Sequence, residues 1–353
     1  MVTPGYPPDV GGIEQHVGHL AAGLAELGFA VDVLTHGEGG RAEREVRGAL
    51  RILRFPLTTT ARHYRASVPM WRYLHANGAR YTAVHAHNYH ALPALFAAMS
   101  PRRSLVLTPH YHGDSASPLR RLLHRAYAIP GRRMIERAAR IICVSGAEAD
   151  LVRRHFPAAI ARISVIPNGV DSAALRAAAP FSGHGRRLAL TVGRLDGYKR
   201  VDRALEAVAQ SPSQTLHVIG EGEARRALQQ RAEDLGIAGR VQFLGRVSDG
   251  DLARWYKTAA VVLSLSEHEA FGLVAAEALA AGTPVVLSDI PAHREVGAMG
   301  DDARVRFVGA EASAAQVAQA MEAVAGAPPG ISRVPDWASV AQRTAHVYDA
   351  IAR

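Results

Sequence analysis

Ser264–Val286 reads SLSEHEAFGLVAAEALAAGTPVV. An apolar strand ends near Leu265, a polar turn follows, and a helix starts around Phe271 and stops before Gly282, where a helix-terminating glycine belongs. TPVVLS (Thr283–Ser288) begins the next strand. Such a strand–helix–strand run is the repeating unit of a parallel sheet covered by helices on both faces. The N–H groups at the helix start, on Phe271, Gly272 and Leu273, can hold a phosphate with help from the helix dipole, and Gly272 permits close approach. Glu269 sits just before the helix and Glu277 two turns inside, eight residues apart. The two carboxylates can face the two ends of one ligand, and hydroxyl-rich sugar and ribose rings suit such acceptors. Acids near helix N-termini are also common for dipole reasons alone, so the pair takes its meaning from Gly272 and the flanking strands.

The same rhythm extends in both directions. A helical pattern over 13–27 precedes strand candidates at Ala30–Thr35, Leu50–Leu53, Ala83–His87, Leu105–His110, Ile141–Val144 and Ile163–Ile166. A second series follows at Leu188–Val192, Thr215–Gly220, Val241–Gly245, Ala260–Leu265 and Thr283–Ser288. The Ala/Pro/Gly-rich stretch Ala177–Gly185 joins them. The expectation is an α/β protein of two Rossmann-like parallel-sheet domains facing a cleft. Residues 1–178 form the first, 179–335 the second, and a helix over 336–353 packs back on the first. Only MVTP precedes the first glycine turn, short for a full strand.

A length of 353 residues also fits two domains, and 48% hydrophobic with 21% charged residues excludes a mostly disordered chain. No apolar run reaches the roughly 18 residues of a membrane-spanning helix. The N-terminus lacks the pattern of a signal peptide, and the single Cys143 reads as a small buried hydrophobe. A cytoplasmic protein is expected, compatible with peripheral contact at the inner face of a membrane. Residues 41–160 hold 20 Arg, no Lys and 6 acidic residues, a net of +14, whereas the rest of the chain is mildly acidic. Such a basic region favours anionic partners. Yet 39 of the 41 basic residues are Arg, so base composition alone supplies many of them. Against that background Lys199 stands out, because a compact ammonium is not interchangeable with a planar guanidinium.

TVGRLDGYKR (Thr191–Arg200) carries a strand into a turn with Arg194 and Lys199 five residues apart. Loops at the carboxyl ends of parallel strands bind ligands, and two cations there suit a diphosphate. GGIEQH (Gly11–His16) places Gly11 and Gly12 between a Pro-rich turn and a helix, a weak phosphate signal, and GEG (Gly220–Gly222) is equally weak alone. HAHNYH supplies His85, His87 and His90, and HYH supplies His110 and His112, all near strand ends. Residues i and i+2 share a strand face, so each set can present two imidazoles. No Asp or Glu lies within either pair, so hydrogen bonding to a ligand is favoured over a metal site, and a structural role for His85 over both.

These residues together resemble the retaining GT-B glycosyltransferases of family 4. The resemblance spans essentially the whole chain and rests on Glu269–Glu277 within EAFGLVAAEALAAGTPVV, on GRLDGYK (Gly193–Lys199), on VIPNGVD (Val165–Asp171) and on FLGRVSDGDL (Phe243–Leu252). It implies a nucleotide-diphosphate sugar as donor substrate, UDP favoured and GDP next, with no cofactor and no metal. Carried over by position, Arg194 and Lys199 neutralise the diphosphate and Glu277 holds the ribose. Glu269 and the amides of Phe271, Gly272 and Leu273 contact the transferred sugar and diphosphate. Gly11 and Gly12 lie in the loop closing on the phosphates. Gly222, Arg246 and Val247 lie near the base, and His110, with His112 one strand step away, matches a histidine near the sugar. The implied reaction is same-face transfer of a hexose to an acceptor hydroxyl. The short first strand departs from the family pattern.

Two rivals share parts of this evidence. A GT-B nucleotide-sugar epimerase or hydrolase would keep the diphosphate site, and a basic anion-binding module would use the arginines alone. The second predicts aromatics interleaved with the basic strip, yet aromatics are only 6%, and no nucleic-acid partner is expected. The basic stretches Ala61–Arg80 and Ser117–Arg140 fit either a solvated helix face or an anionic bilayer surface. The acceptor is left open among small molecules, glycans and lipid-linked species.

Overall fold

The computed structural model describes all residues except Val10, 38–40, 60–64, 101–103, 112–117, 185–186, Pro329, Ile331 and Arg353, and describes no side chains at 118–126 or at Ala352. The chain divides into two compact units, Met1–Gly169 with Trp337–Arg353, and Val170–Asp336.

The first unit contains strands β1 (Val31–Gly37), β2 (Glu43–Arg47), β3 (Leu50–Pro56), β4 (Val84–His87), β5 (Leu105–Thr108), β6 (Arg140–Cys143) and β7 (Ile163–Val165). Its helices are α1 (Gly12–Glu26), α2 (Val68–Asn77), α3 (Leu92–Ala98), α4 (Pro118–Arg137) and α5 (Gly146–His155). β1 and β3 pair in parallel, β2 adds antiparallel to β3, and β4 to β7 pair in parallel in chain order. Val2 bridges both β1 and β4, its N–H donating to the His85 carbonyl while the His87 N–H donates to the Val2 carbonyl. The few residues before the glycine turn thus join the two sets of strands, and strand order reverses between Val2 and β4. One apolar face packs under α1 through Val17, Leu20 and Leu24, and the other under α2 to α5 through residues such as Met70, Ala94 and Met134.

The second unit begins with α6 (Ser172–Ala177) and alternates β8 (Leu188–Val192), α7 (Val201–Gln210), β9 (Thr215–Ile219), α8 (Arg225–Asp234), β10 (Val241–Gly245), α9 (Asp249–Thr258), β11 (Val261–Ser264), α10 (Leu273–Ala281), β12 (Val285–Ser288), α11 (Pro291–Gly297), β13 (Val305–Val308) and α12 (Ala314–Val324). All its strand pairs are parallel, in the order β10-β9-β8-β11-β12-β13. β8, β11 and β12 are buried almost throughout, as the continuous apolar runs of the sequence require. The final helix, α13 (Trp337–Ala352), belongs to the first unit and packs on α1. Gly23 permits this approach, since a Cβ there would meet the Ala341 Cβ at 2.8 Å.

Several elements differ from the sequence reading. β2 and β13 lie outside the strand candidates read from the sequence: EREVR is exposed and charged, and VRFV is short and only half buried. The first unit ends at Gly169, not 178, because α6 packs on α9 and α10 of the second. α10 starts at Leu273, two residues after Phe271, because Gly272 takes a left-handed conformation (φ 104°). Some arginines of the basic region serve the fold: Arg51 pairs with the buried Asp32 and Arg54 donates to the Pro7 carbonyl, while Arg162, just beyond the region, donates to the carbonyls of Ile135, Glu136, Ala138 and Ala158, closing off the end of α4. Among the described residues no helix is long and apolar enough to cross a membrane.

Candidate functional site

In an open parallel sheet, ligands bind beyond the carboxyl ends of the strands where strand order reverses. In the second unit that point lies between β8 and β11. A recess there is lined by Gly193, Arg194, Lys199, Ser264 and Ser266. The loop after β8 and the loop after β9 interlock through their backbones: Gly193 N–H donates to Ile219, and Leu195 N–H to Glu221. A Cβ on Gly220 (φ 129°) would stand 1.9 Å from the Gly193 carbonyl oxygen, and one on Gly222 would stand 2.5 Å from that of Leu195. The GEG segment therefore contains two glycines held by close backbone-to-backbone contact, Gly220 by its positive φ as well. Arg246 is exposed and Val247 half-buried in the turn between β10 and α9.

Lys199 and Glu269, 70 residues apart in sequence, meet at Nζ–Oε1 2.6 Å. Each side chain is 17% exposed. Burial works to neutralise both, but their mutual attraction wins: the Lys199 ammonium is held above its ordinary range and the Glu269 carboxyl below its own. The site thus presents a charged pair, with the cation fixed by its partner. Arg194 is more exposed, pairs with Asp196 at 3.2 Å and donates to the Tyr198 hydroxyl at 3.2 Å. Tyr198 in turn stacks on His268 with centroids 4.5 Å apart, which fastens the β8 loop to the turn before α10.

Gly272 precedes α10, and no side chain caps that end. Gly272 is constrained twice, by its positive φ and by His293, whose ring carbon Cδ2 would lie 3.0 Å from an added Cβ. Fully buried His293 lies 3.2 Å from Ser264 Oγ through Nε2 and 3.1 Å from the Ser288 carbonyl through Nδ1. It braces the turn from below. The Phe271 side chain is buried in the core, so this residue has only its backbone to offer a ligand. On α10, Glu277 accepts a 2.7 Å hydrogen bond from the buried Tyr256 hydroxyl at Oε2. Burial pushes its pKa up to about 7, against the Tyr256 bond, and Asp249 adds to the rise.

In the first unit, Gly11 sits at the N-cap of α1 in extended backbone, and Gly12 opens the helix. A Cβ on Gly11 would collide with the Glu14 carboxylate. His16 (α1), His87 (end of β4) and His110 (after β5) come together, with ring centroids 5.0–5.8 Å apart. His110 is left-handed at φ 48°. The next N–H, on Tyr111, donates to Glu148 Oε1 at 2.5 Å, while the Val144 N–H donates to Oε2 at 2.6 Å. One buried carboxylate thus ties the ends of β5 and β6 together. His85 is committed elsewhere, 2.6 Å from the Tyr348 hydroxyl and 2.8 Å from Thr108 Oγ1, in the structural role read for it. His90 lies among the rings of Tyr89, Tyr111 and Tyr127, and His112 falls outside the described residues. Cys143 is buried in the core, where burial raises its thiol pKa.

With this geometry in place, comparison with known proteins is decisive. The profile of glycosyltransferase family 4 matches residues 10–174, and that of the glycosyl transferases group 1 matches 177–325. A phosphatidyl-myo-inositol mannosyltransferase of Mycolicibacterium smegmatis is 32% identical over 99% of this chain and 93% of its own length. The chain belongs to glycosyltransferase family 4. A glycogen synthase of Mycobacterium tuberculosis is 29% identical over 100% of this chain and 94% of its own. The sucrose-phosphate synthase of Thermosynechococcus elongatus superposes with a TM-score of 0.79 at 22% identity, covering 97% of this chain and 94% of that one. Anabaena HepE, solved in complex with UDP-glucose, gives 0.75 at 17%, covering 99% of this chain and 100% of that one. The fold is GT-B, and the chain is a glycosyltransferase using a nucleotide-sugar donor.

Within this family 4 chain, the structure brings Arg194, Lys199, Glu269, Gly272 and Leu273 to the switch point of one sheet. His293, Tyr256 and Glu148 were not singled out from sequence. His293 lies in an unremarkable helix start, SDIPAHREV, and its value comes from contacts with serines on two strands. Glu148 had one available signal, an acid three residues after Ser145 at a helix N-cap, but that spacing also describes an ordinary capping box.

Proposed function

We propose that the chain transfers a hexose-type sugar from a nucleotide-diphosphate sugar, UDP favoured over GDP, to an acceptor hydroxyl with retention of configuration and without a metal. The observation that carries this reading is the Lys199–Glu269 pair just ahead of the uncapped α10 N-terminus. Departure of the nucleoside diphosphate concentrates negative charge on the leaving oxygens. Arg194, Lys199 and the first N–H groups of α10 are donors aimed at such charge. Glu269 is engaged with the ammonium, which suits a positioning group better than a nucleophile. The departing phosphate oxygen accepts the acceptor's proton on the same face, so no separate base is needed. Glu277 receives the ribose hydroxyls, and His110 serves the transferred sugar.

UDP is favoured because HepE, of the same fold, is solved with UDP-glucose. Relatives named for D-inositol 3-phosphate, phosphatidyl-myo-inositol and glycogen suggest a hydroxyl-rich acceptor. The net +14 over residues 41–160 suits one that carries phosphate or lies on an anionic lipid surface. The test is thermal stabilisation by UDP-, GDP-, ADP- and dTDP-sugars with EDTA present, in wild type and Glu277→Ala, followed by anomeric analysis of the product. Selective stabilisation by one UDP-sugar, lost in the variant, supports the reading. Stabilisation only when a divalent ion is restored refutes metal independence, and an inverted product refutes retention.

A further inference from the structure

The first unit holds a histidine cluster of which the proposed transfer uses only His110. His16, His87 and His110 come from three separate elements and converge where strand order reverses between Val2 and β4. Their nearest ligand nitrogens all lie within 4.8 Å of one another. His16 is 2% exposed and His87 fully buried. His16 Nδ1 lies 2.8 Å from Asn168 Oδ1, an oxygen that can only accept, so Nδ1 carries the proton and Nε2 keeps its lone pair. That Nε2 is buried without a hydrogen-bond partner, as are both ring nitrogens of His87. Buried polar atoms left unpaired are uncommon and costly. Here three of them belong to imidazoles facing one another.

We propose that this cluster is a binding site for a first-row transition-metal ion of zinc type, with His16 Nε2, His87 and His110 as ligands. Tetrahedral zinc with bonds of about 2.0 Å places adjacent imidazole centroids about 5.2 Å apart. The observed separations are 5.3, 5.0 and 5.8 Å. Asn168 supplies the outer contact that metal-bound histidines usually have, accepting from the nitrogen that does not bind and fixing the tautomer. His85, 4.2 Å behind His87 and held by Tyr348 and Thr108, walls the site on its inner side. Three imidazoles form a ligand set suited to zinc, copper or nickel, and unsuited to magnesium or calcium.

Bound metal would tie α1, β4 and the segment after β5 together and stabilise the unit. It would also take up the His110 imidazole. Resting on the role proposed for His110 above, the consequence for transfer is inhibition by zinc, distinct from any requirement for it.

The test uses the full chain, free of any affinity tag and stripped with a chelator. Zinc is titrated by calorimetry and by competition with a chromophoric chelator, with no donor present. The proposal expects one equivalent per chain, a raised melting temperature, and a visible absorption band of four-coordinate cobalt when Co²⁺ replaces zinc. His16→Gln and His87→Ala should each weaken binding roughly tenfold or more, while His184→Ala, in the other unit, leaves it unchanged. Absence of stoichiometric binding overturns the site, as does binding that survives both substitutions. Should His87→Ala not fold, His16→Gln and the wild-type cobalt spectrum still decide. Binding without inhibition upholds the site and removes His110 from the sugar's neighbourhood, so the two readings fail separately.

Discussion

Donor affinity should rise with pH around neutrality, because Glu277 is poised to titrate there. Burial pushes its pKa up to about 7, against the hydrogen bond it accepts from the Tyr256 hydroxyl. At that value the carboxyl is about 10% ionised at pH 6 and about 90% at pH 8. If the ribose hydroxyls need the carboxylate as acceptor, affinity for a nucleotide sugar should increase about tenfold across that interval, or about 1.4 kcal/mol. Other groups near the site do not imitate this. His268 and His293 are held below the ordinary histidine range by burial, Lys199 stays above its own range and Glu269 below its own. Tyr256 is buried and pushed far up, and both phosphates of a nucleotide-diphosphate sugar are fully ionised throughout. The assay is calorimetric titration of the intact sugar nucleotide at pH 6, 7 and 8 on wild type and Glu277→Gln. The variant should bind weakly and show a flat profile. Wild-type affinity constant within about twofold, or an unchanged slope in the variant, refutes the assignment of Glu277 to the ribose. A second sign check is available without donor. A carboxyl whose folded pKa exceeds its unfolded value favours folding most at low pH, and that contribution fades as pH rises from about 4.5 to about 7. Glu277→Gln should therefore lose less stability at pH 8 than at pH 5 on urea titration.

Lys199→Ala strands the Glu269 carboxylate, so we expect a loss on the order of 3 kcal/mol by urea denaturation and a fall in kcat of about a hundredfold or more. Lys199→Ala/Glu269→Ala should regain part of the stability and none of the activity, and recovery of activity would refute the charge role. Gly220→Ala forces a Cβ to 1.9 Å from the Gly193 oxygen, whereas Gly28→Ala, also at positive φ, meets nothing within 4 Å. The first should cost well over the roughly 1 kcal/mol of left-handed strain expected of the second, and should weaken donor binding. Equal losses in both would contradict the interlock. Glu148→Ala leaves the Tyr111 and Val144 amides without their acceptor, for an expected loss of about 2–4 kcal/mol. A loss below about 0.5 kcal/mol would show that water replaces the carboxylate.

Legibility in the sequence followed how local each feature is. The strands of the second unit were readable because buried parallel strands are uniformly apolar, and LALTV or AVVLSL has few other interpretations. β2 was not readable, since an exposed edge strand such as EREVR owes its pairing to β3 rather than to its own pattern. Glu269, Gly272 and Glu277 were readable because they share one turn and one helix. The Lys199–Glu269 pair was not, since 70 residues separate its members and sheet order alone joins them. The scarcity of Lys did mark Lys199 in advance, although that signal gave no partner. GEG looked weak for a related reason: the need for glycine at 220 and 222 arises from a backbone 27 residues away, at Gly193 and Leu195.

The histidines carry this reasoning furthest. Sequence spacing grouped them as His85 with His87, and His110 with His112, because residues two apart share a strand face. The structure regroups them across elements. His85 is spent on Tyr348 and Thr108, and His87 joins His110 and a helix residue, His16, that only the βα turn brings near. Both arrangements obey the same strand periodicity, so periodicity could not choose between them. What chooses is that Val2 lies between β1 and β4, which fixes the end of β4 beside the start of α1. The absence of an acid within either sequence pair, which counted against a metal site, loses its force once three imidazoles meet, because zinc accepts an all-histidine set. The same rule of topology that places a recess at the reversal between β8 and β11 places this cluster at the one between Val2 and β4. Each sheet thus brings its candidate residues together where its strand order reverses.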